Sequence, residues 1–410
     1  MTVTIQPSRA CGEVFAPPSK SMAHRLLICA ALCHGTSRVR GISDCEDVAA
    51  TLACLESLGV AFERSGDCVT VWGKDFSELT PTRALFAKES GSTLRFFIPL
   101  ALLTGKEVCF TAEKSLLSRP FGVYEELSVQ KGFYFKKDES TITVKGPIYP
   151  GEFRIAGNVS SQFISGLLFA LPLLSGDSRI VITTTVESRS YIHLTMKALA
   201  EFGITSRWEN EHTIFVPGNQ CYESREISVE GDYSGAAFLE AMNLFSHEVL
   251  VKGLDDESIQ GDKIYRQYFP MLNLGVPTLH IGDCPDLGPI LFAVAAAKNG
   301  GVFSGTRRLR IKESDRAEAM AQELRKFGAA VTVYEDSVVV FPADFHAPTE
   351  PLYGHNDHRI IMALAVLLTC TGGKIRGTEA VKKSYPAFFR DLSMLGIALS
   401  EEEEKTYNGA

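Results

Sequence analysis

Residues 17–25, with the sequence PPSKSMAHR, combine a predicted helix start with charged and hydroxyl side chains. The apolar stretch over residues 26–32 predicts that a helix begins near Lys20. Ser21 and Arg25 are four residues apart and therefore share one helix face, and Lys20 lies in the first turn, where backbone N–H groups have no partner within the helix. This pattern predicts a site for a phosphate or a carboxylate. A capped helix with a lysine in solvent is the alternative.

Three further segments give helix starts with polar side chains. In residues 89–95 (ESGSTLR), Gly91 allows a ligand to approach the backbone, and an arginine follows one turn later. Residues 160–162 (SSQ) supply hydrogen-bonding side chains without charge, which suits a polyol as well as a phosphate. Residues 356–359 (NDHR) open another apolar helix. Ordinary helix capping is the alternative for each segment.

Two acids stand apart from these cationic segments. Asp286 precedes an apolar helix, and Glu313 lies in the mixed-charge segment 310–316 (RIKESDR). If both face a cleft with Lys20, they supply the proton donors and acceptors that an addition and an elimination require. The alternatives are a helix N-cap for Asp286 and a solvated charged surface for Glu313.

Composition and charge exclude several classes of function. The 410 residues are 45% hydrophobic and 22% charged, as in an ordinary globular protein, and the formal charge of -8 argues against a nucleic-acid partner. The 10 cysteines form no Cys-x-x-Cys pair, and no His/Cys group has the spacing of a zinc site, so we expect no metal. The start lacks a basic segment followed by an apolar one, and no apolar stretch is long enough to span a membrane. We therefore expect a cytoplasmic protein with no membrane partner.

A repeated pattern predicts the elements that position these residues. A helix-like stretch ends at a glycine six times and is followed by β-rich runs. These glycines are Gly59, Gly132, Gly203, Gly275, Gly328 and Gly396. Almost wholly apolar helices follow Lys20, Ser92, Ser161, Ser234, Asp286 and His358. The unit reads as strand, buried helix, strand, exposed helix and hairpin, and three units make one domain of about 200 residues. Parallel buried helices in each domain would direct their N-termini, which attract anions, to one end.

With these segments in hand, the chain resembles the EPSP synthase family from end to end. The family's motifs occur in family order at residues 20–25, 91–95, 118–120, 160–162, 231–232, 285–286, 312–316, 356–359 and 383–386. The resemblance implies an α/β (α+β) protein with the two-domain enolpyruvyl transferase fold, an inside-out α/β barrel with three βαβαββ units per domain. We predict one domain over residues 12–230 on the shikimate 3-phosphate side. Residues 1–11 with 231–410 would form the second, which carries the phosphoenolpyruvate site and the catalytic acids, with the active site in the cleft between them.

The resemblance also implies two sets of ligand-binding residues. Shikimate 3-phosphate would be bound by Lys20, Ser21, Arg25, Ser160, Ser161, Gln162, Ser188, Tyr191, Asp286, Arg308 and Lys312. Phosphoenolpyruvate would be bound by Lys20, Gly91, Arg119, Gln162, Arg316, Arg359 and Lys383. Clustered cations suit a small anion of high charge, because they offset the cost of taking it out of water.

The implied reaction transfers the enolpyruvyl group of phosphoenolpyruvate to the 5-hydroxyl of shikimate 3-phosphate. Asp286 would bind or deprotonate that hydroxyl, and Glu313 and Lys20 would handle the protons at C3 and on the leaving phosphate. No metal or organic cofactor is implied, and the family habit is a monomer. Gly91 leaves room for glyphosate, so the resemblance predicts inhibition competitive with phosphoenolpyruvate.

Three positions depart from the family pattern. Glu89 stands where the family often has Asn, Arg308 where many members have a substrate-binding Asn, and Ser190 where a Pro is common. Glu89 brings a negative charge beside the phosphoenolpyruvate pocket, unless it pairs with a cationic side chain.

Two other functions stay open at the level of sequence. UDP-N-acetylglucosamine enolpyruvyl transferases share the fold and the donor, but they carry Lys-Asn near the start and commonly a loop cysteine. This chain has Lys20-Ser21 and, at the loop, residues 115–119 without cysteine. A non-catalytic anion-binding protein on the same scaffold would explain the basic helix starts but not Asp286 and Glu313.

Overall fold

The computed structural model describes residues 1–342 and 344–403, which fold into two compact units. One unit is Pro18–Glu230, and the other is Met1–Pro17 together with the described residues of Gly231–Ala410. Residues 12–17 therefore belong to the second unit rather than to the first domain, where the sequence analysis placed them. The reason is that strand Cys11–Phe15 pairs in parallel with Glu248–Lys252 of the second unit.

Two kinds of α-helix alternate along the described chain. The helices are α1 (Lys20–Leu32), α2 (Glu46–Leu58), α3 (Gly91–Leu103), α4 (Lys114–Leu117), α5 (Gly122–Lys131), α6 (Ser161–Ala170), α7 (Arg189–Glu201), α8 (Tyr233–Ala241), α9 (Tyr265–Leu274), α10 (Gly288–Ala297), α11 (Arg316–Arg325), α12 (His358–Thr371) and α13 (Phe388–Met394). Helices α1, α3, α6, α8, α10 and α12 are buried along almost their whole length, because a helix that is apolar all round must be covered on every side.

The strands are short and form sheets within each unit. They are β1 (Thr2–Ile5), β2 (Cys11–Phe15), β3 (Gly35–Arg40), β4 (Ala61–Ser65), β5 (Cys68–Gly73), β6 (Leu85–Phe86), β7 (Glu107–Thr111), β8 (Tyr134–Lys137), β9 (Thr141–Lys145), β10 (Gly151–Ile155), β11 (Ser178–Ile182), β12 (Arg207–Asn210), β13 (Thr213–Val216), β14 (Glu226–Ser228), β15 (Glu248–Lys252), β16 (Thr278–His280), β17 (Gly301–Ser304), β18 (Val331–Val333), β19 (Ser337–Val340), β20 (Leu352–Tyr353), β21 (Gly373–Arg376) and β22 (Leu399–Glu402).

The sheets of unit Pro18–Glu230 share one topology. Their strand orders are β14-β3-β5-β4, β6-β7-β9-β8 and β10-β11-β13-β12. In each sheet the first pair is parallel and the remaining pairs are antiparallel, as Gly151 opposite Ser178 and Ser178 opposite Val216 illustrate. In the second and third of these sheets a strand, a buried helix and a second parallel strand are followed by an exposed helix and a hairpin, which is the predicted repeat. In the first sheet β14, from the end of the unit, takes the place of the opening strand. Helices α1, α3 and α6 contribute to one hydrophobic core inside these sheets.

The second unit repeats this strand order in two of its three sheets, although in one of them β1, from the start of the chain, takes the place of a hairpin strand predicted after Gly396. Its sheets are β16-β17-β19-β18, β20-β21-β1-β22 and the two-stranded β15-β2, and α8, α10 and α12 share its hydrophobic core. After α9 the chain passes Gly275 and enters β16 directly, so the hairpin predicted there is missing. Gly275 has an extended backbone with φ of -178°, whereas the other five repeat glycines have positive φ from 74° to 102°. Those five are left-handed caps, which glycine adopts without strain.

The last described strand closes a sheet with the first. In β22, Glu401 and Glu402 lie opposite Val3 and Thr2 of β1, and they begin the charge run of residues 401–405 (EEEEK). Both glutamates keep exposed side chains, so the charge run and the strand are compatible. Residues 404 and 405 of that run lie outside the described residues.

None of the helices in the described ranges is both long and apolar enough to cross a membrane.

Candidate active site

A cluster of acids and cations lies within the second unit, where α10, α11 and α12 begin. Asp286 sits in the single turn Pro285–Leu287 that leads into α10, and its carboxyl accepts from three cations. Arg316 Nη1 donates to Asp286 Oδ1 at 2.8 Å, Lys312 Nζ donates to the same oxygen at 3.4 Å, and Arg359 Nη2 donates to Oδ2 at 3.3 Å. Asp286 therefore joins the starts of two helices and the segment before α11.

Asp357 is the fully buried acid of this cluster. It is the N-cap of α12, its side chain is fully buried, and its Oδ1 accepts from the backbone N–H of Arg359 at 2.9 Å. Its Oδ2 accepts from Arg316 Nε at 2.8 Å and from Ser314 Oγ at 3.2 Å. A helix cap has thus also become the ion-pair partner of the neighbouring helix, which fixes the guanidinium of Arg316.

Glu313 is held by the same arginine. Arg316 Nη2 donates to Glu313 Oε2 at 2.6 Å, and the glutamate side chain is 17% exposed. Arg316 itself is 1% exposed and therefore bridges three carboxylates, those of Asp286, Glu313 and Asp357. The segment 310–316 is consequently not the solvated charged surface that its composition alone would suggest.

The pKa values of Asp286 and Lys312 are both lowered, for different reasons. Burial raises the pKa of Asp286, but Lys312, Arg359 and Arg316 together outweigh burial and leave it well below its usual value. Burial lowers the pKa of Lys312, and the nearby arginines Arg316 and Arg308 add to this, although Asp286 opposes it. Asp286 is therefore an ionised hydrogen-bond acceptor at neutral pH.

Arg359 keeps donors available for a ligand. Its side chain is 3% exposed, and Nε and Nη1 have no hydrogen-bond partner among the described residues. Lys383 is also buried and donates from Nζ to the backbone carbonyl of Asn356 at 2.6 Å, directly before the start of α12. Arg308 lies buried in the turn Arg307–Ile311 and acts electrostatically on Lys312. A buried guanidinium with open N–H groups is a strong site for a carboxylate or a phosphate.

The first helix of unit Pro18–Glu230 begins as its sequence predicts. Ser19 is the N-cap of α1 and accepts from the backbone N–H of Met22 at 3.4 Å. Lys20 does not extend into solvent, since its side chain is 14% exposed and its Nζ pairs with Asp47 at 2.8 Å. Ser21 and Arg25 do share a face, and Arg25 Nη1 donates to the backbone carbonyl of Ser21 at 2.6 Å.

Arg25 is also tied to helix α7. Its Nε donates to Thr195 Oγ1 at 2.8 Å, and its Nη2 donates to the carbonyl of Tyr191 at 3.1 Å. Burial lowers the pKa of Arg25 to about 10, so the guanidinium stays charged at neutral pH. Arg25 thereby connects the starts of α1 and α7 in addition to any role toward a ligand.

Gly91 borders a pair of arginines and a glutamine. A Cβ at Gly91 would lie 3.0 Å from Arg95 Nη1, 3.2 Å from Arg119 Nη1 and 3.4 Å from Gln162 Oε1. Arg95 Nη1 donates to Gln162 Oε1 at 2.7 Å, and Gln162 Nε2 donates to Ser92 Oγ at 2.9 Å. The starts of α3 and α6 are therefore joined, and the absent side chain of Gly91 leaves space beside Arg119.

The remaining predicted residues lie at the starts of α6 and α7. Ser160 is the N-cap of α6 and accepts from the backbone N–H of Gln162 at 3.3 Å, and Ser161 is buried in the first turn. Ser188 precedes α7 with a positive φ of 54°, which is uncommon for a residue with a side chain. Tyr191 lies in the first turn of α7 and is half-buried.

Two residues of these clusters were missed from the sequence. Asp357 was identified only as part of a motif, and Asp47 of α2 pairs with Lys20. Arg95 was identified as a helix-start arginine, but its hydrogen bond to Gln162 was not predicted. An acid followed by His-Arg at the start of an apolar helix was the available signal for Asp357. For Asp47 no local signal exists, because its partner lies 27 residues earlier in the chain.

Glu89, which departs from the family pattern, has a hydrogen-bond partner nearby. Ser115 Oγ donates to Glu89 Oε1 at 2.6 Å.

In residues 1–342 and 344–403, no group of three or more His, Cys, Asp or Glu side chains is arranged to hold a metal ion.

Comparison with known proteins matches this chain to one family. The family model for EPSP synthase (3-phosphoshikimate 1-carboxyvinyltransferase) matches residues 5–392. A 3-phosphoshikimate 1-carboxyvinyltransferase of Clostridium kluyveri is 40% identical over 427 aligned positions, which cover 97% of this chain and 98% of the relative. One from Clostridium botulinum is 38% identical over 96% of this chain and 97% of its own length.

Solved structures confirm the predicted fold class. The structure of EPSP synthase from Acinetobacter baumannii superposes with a TM-score of 0.79, at 23% identity, and covers 98% of this chain and 100% of the other. At that identity the superposition establishes the fold, and the sequence matches establish the family. The chain belongs to the EPSP synthase family.

Proposed function

We propose that this chain transfers the enolpyruvyl group of phosphoenolpyruvate to the 5-hydroxyl of shikimate 3-phosphate. The products are 5-enolpyruvylshikimate 3-phosphate and inorganic phosphate. This is the 3-phosphoshikimate 1-carboxyvinyltransferase reaction for which the family is named, and it is a step of the shikimate pathway, which leads to chorismate and the aromatic amino acids. Family membership over nearly the whole chain supports the assignment.

The observation that carries the proposal is the ion pair between Asp286 and the buried guanidinium of Arg359, some of whose N–H donors have no partner among the described residues. Arg359 has open N–H donors, and Asp286 is an ionised acceptor 3.3 Å from Arg359 Nη2. Phosphoenolpyruvate bound at Arg359 would therefore lie beside the Asp286 carboxylate, which can accept a hydrogen bond from a hydroxyl. This is the arrangement that an attack by a hydroxyl on a bound enol phosphate requires.

The two substrates divide the candidate residues between them. For shikimate 3-phosphate the proposal assigns Lys20, Ser21, Arg25, Ser160, Ser161, Gln162, Ser188, Tyr191, Asp286, Arg308 and Lys312. For phosphoenolpyruvate it assigns Lys20, Gly91, Arg119, Gln162, Arg316, Arg359 and Lys383. The proposal requires residues of both units to act on one pair of substrates. It also takes the protein to be a cytoplasmic monomer that needs no cofactor.

The proposed reaction is an addition followed by an elimination. The 5-hydroxyl oxygen forms a bond to C2 of phosphoenolpyruvate, its proton passes to a base, and C3 takes up a proton to become a methyl group. The resulting tetrahedral adduct then loses a proton from C3 while the bond between C2 and the phosphate oxygen breaks. Lys20 would stabilise or protonate the departing phosphate, and Glu313 would exchange the proton at C3.

The charges around Asp286 favour one of its two assigned roles in the unliganded arrangement. With its pKa held well below the usual value by Lys312, Arg359 and Arg316, although burial acts in the opposite direction, the carboxylate orients the hydroxyl better than it removes the proton. An anion that binds Arg359 would partly neutralise that cation. Substrate binding would then raise the pKa of Asp286 and make it a better base at the moment when a base is required.

Phosphate release tests the proposal. The purified chain should release inorganic phosphate with shikimate 3-phosphate and phosphoenolpyruvate together, and with neither alone. The enolpyruvyl ether should form in equal amount. Release with UDP-N-acetylglucosamine instead would identify the other enolpyruvyl transferase. Binding of both substrates without release would leave an anion-binding protein.

A further inference from the structure

An acid that the proposed reaction does not use is buried on helix α11. Glu323 is 2% exposed, and its Oε2 accepts from Lys326 Nζ at 2.9 Å and from the backbone N–H of Tyr353 at 3.0 Å. Its Oε1 accepts from His355 Nε2 at 2.9 Å. Burial acts to raise the pKa of Glu323, but these hydrogen bonds and the charge of Lys326 outweigh burial and lower the pKa. Glu323 therefore holds the segment before α12 as an ionised carboxylate.

The segment that Glu323 holds contains an uncommon backbone turn. His355 and Asn356 have φ angles of 50° and 53°, in the left-handed region that residues with side chains rarely occupy. The N–H of Asp357 closes the turn by donating to the carbonyl of Gly354 at 2.9 Å. Two such residues in a row persist only where the surrounding contacts hold them.

Helix α11 supplies those contacts on both sides of Asn356. Arg316 and Glu323 are seven residues apart and therefore lie on one face of the helix. Arg316 Nε donates to Asp357 Oδ2 at 2.8 Å, and Glu323 accepts from His355. Asn356 lies between these two contacts, so α11 fixes the direction of its backbone carbonyl.

The carbonyl of Asn356 contacts a cation of the candidate site. Lys383 Nζ donates to this carbonyl at 2.6 Å, and the lysine is 5% exposed. A lysine ammonium sits at the end of a flexible stem, so its position depends on the acceptor that it meets. The direction of the Asn356 carbonyl therefore determines where the Lys383 ammonium lies.

We propose that Glu323 is a positioning residue for phosphoenolpyruvate, which acts through His355 and the turn on the ammonium of Lys383. The inference rests on the proposed function, in which Lys383 binds this anion. Without the contact to Glu323, the turn can relax to ordinary backbone angles, and the Asn356 carbonyl then turns away from Lys383. The ammonium is no longer held where it meets the anion, and binding weakens.

Steady-state KM values for both substrates test the proposal. Glu323→Gln keeps the size of the side chain but has one accepting oxygen where Glu323 uses two, so it cannot hold His355 and the Tyr353 N–H together. We expect KM for phosphoenolpyruvate to rise roughly tenfold, the scale of one weakened hydrogen bond to a charged group. KM for shikimate 3-phosphate and kcat should change by less than about threefold, because Lys383 is assigned to phosphoenolpyruvate alone. Glu318→Gln makes the same charge change at an exposed position of α11 and should leave all three values unchanged.

Two further comparisons separate this role from a purely structural one. Lys383→Ala should raise KM for phosphoenolpyruvate, and Glu323→Gln added to it should raise KM by less than about twofold more, because no ammonium is left to misplace. His355→Gly adopts the left-handed backbone without strain but removes the imidazole contact. It should raise KM for phosphoenolpyruvate as Glu323→Gln does, because the contact positions the turn.

The outcomes distinguish this inference from the function on which it rests. An unchanged KM for phosphoenolpyruvate in Glu323→Gln, or an equal rise with and without Lys383→Ala, overturns the role of Glu323 while phosphate release continues. A normal KM in His355→Gly overturns the path through His355. No phosphate release from the unmodified chain overturns the proposed function itself. If Glu323→Gln does not fold, His355→Gly with and without Lys383→Ala decides the matter.

Discussion

Replacement of Arg359 by lysine isolates the contribution of its guanidinium. Lysine keeps the positive charge and leaves the backbone cap of α12 on Asp357 intact, where the N–H to Oδ1 distance is 2.9 Å. The substitution removes the planar guanidinium, in which Nε and Nη1 have no hydrogen-bond partner among the described residues. The variant therefore tests whether those open donors bind the substrate anion.

The expected magnitude follows from the number of hydrogen bonds that are lost. A bidentate contact to a carboxylate uses two N–H donors of the guanidinium. The ammonium of the shorter lysine side chain replaces at most one of these hydrogen bonds. One lost hydrogen bond to a charged group costs about 1.5–3 kcal/mol. We expect KM for phosphoenolpyruvate to rise roughly 10- to 150-fold, since about 1.4 kcal/mol corresponds to a factor of ten.

Steady-state phosphate release with each substrate varied in turn measures this change. KM for shikimate 3-phosphate should change by less than about threefold, because its proposed ligands do not include Arg359. Arg376→Lys on β21 is a matched control, as this arginine is exposed and donates from Nη1 to Tyr353 at 3.1 Å. An unchanged KM for phosphoenolpyruvate in a folded Arg359→Lys protein would refute the assignment of Arg359.

Three further changes give distinct readouts. Gly91→Ala should fold normally but raise KM for phosphoenolpyruvate and weaken glyphosate inhibition, because its Cβ would lie 3.2 Å from Arg119 Nη1; unchanged values in inhibition assays would show that no ligand uses this space. Glu313→Gln should bind both substrates with near-normal affinity in calorimetry and lose turnover, whereas full activity would remove Glu313 from the proton transfers. Asp357→Asn should lower the free energy of unfolding in urea by about 1.5–3 kcal/mol, because it removes one of the three carboxylates that pair with buried Arg316; an unchanged unfolding midpoint would contradict that role.

The repeat was readable from the sequence because each of its parts has a local cause. A helix that is apolar all round can only be buried, and a glycine after an amphipathic helix commonly forms a left-handed cap. Both signals held at Gly59 and at Gly328, for example. Gly275 fails because a glycine imposes no single backbone conformation, and the chain there turns directly into the next strand.

The domain boundary was not readable to the residue. Strand β2 consists of alternating exposed and half-buried residues, and nothing in residues 11–15 specifies a partner. Its pairing with β15, more than 230 residues later, assigns it to the second unit. Non-local pairing of this kind is set by tertiary packing rather than by local preference.

The site residues were predicted by type more readily than by interaction. Helix starts with Lys, Ser and Arg indicated anion binding, but the sequence did not reveal that Arg316 bridges three carboxylates or that Lys20 pairs with Asp47. These contacts join residues from separate helices, so no spacing rule reports them.

The fate of the bridging oxygen of phosphoenolpyruvate tests the central claim most directly. In the proposed addition and elimination, the bond between C2 and this oxygen breaks, so the oxygen leaves with the phosphate. With heavy oxygen at the bridging position and shikimate 3-phosphate present, mass spectrometry should find the label in inorganic phosphate and none in the enolpyruvyl product. Label retained in pyruvate or in the product would mean that the phosphorus–oxygen bond was broken instead, and would contradict enolpyruvyl transfer by this chain.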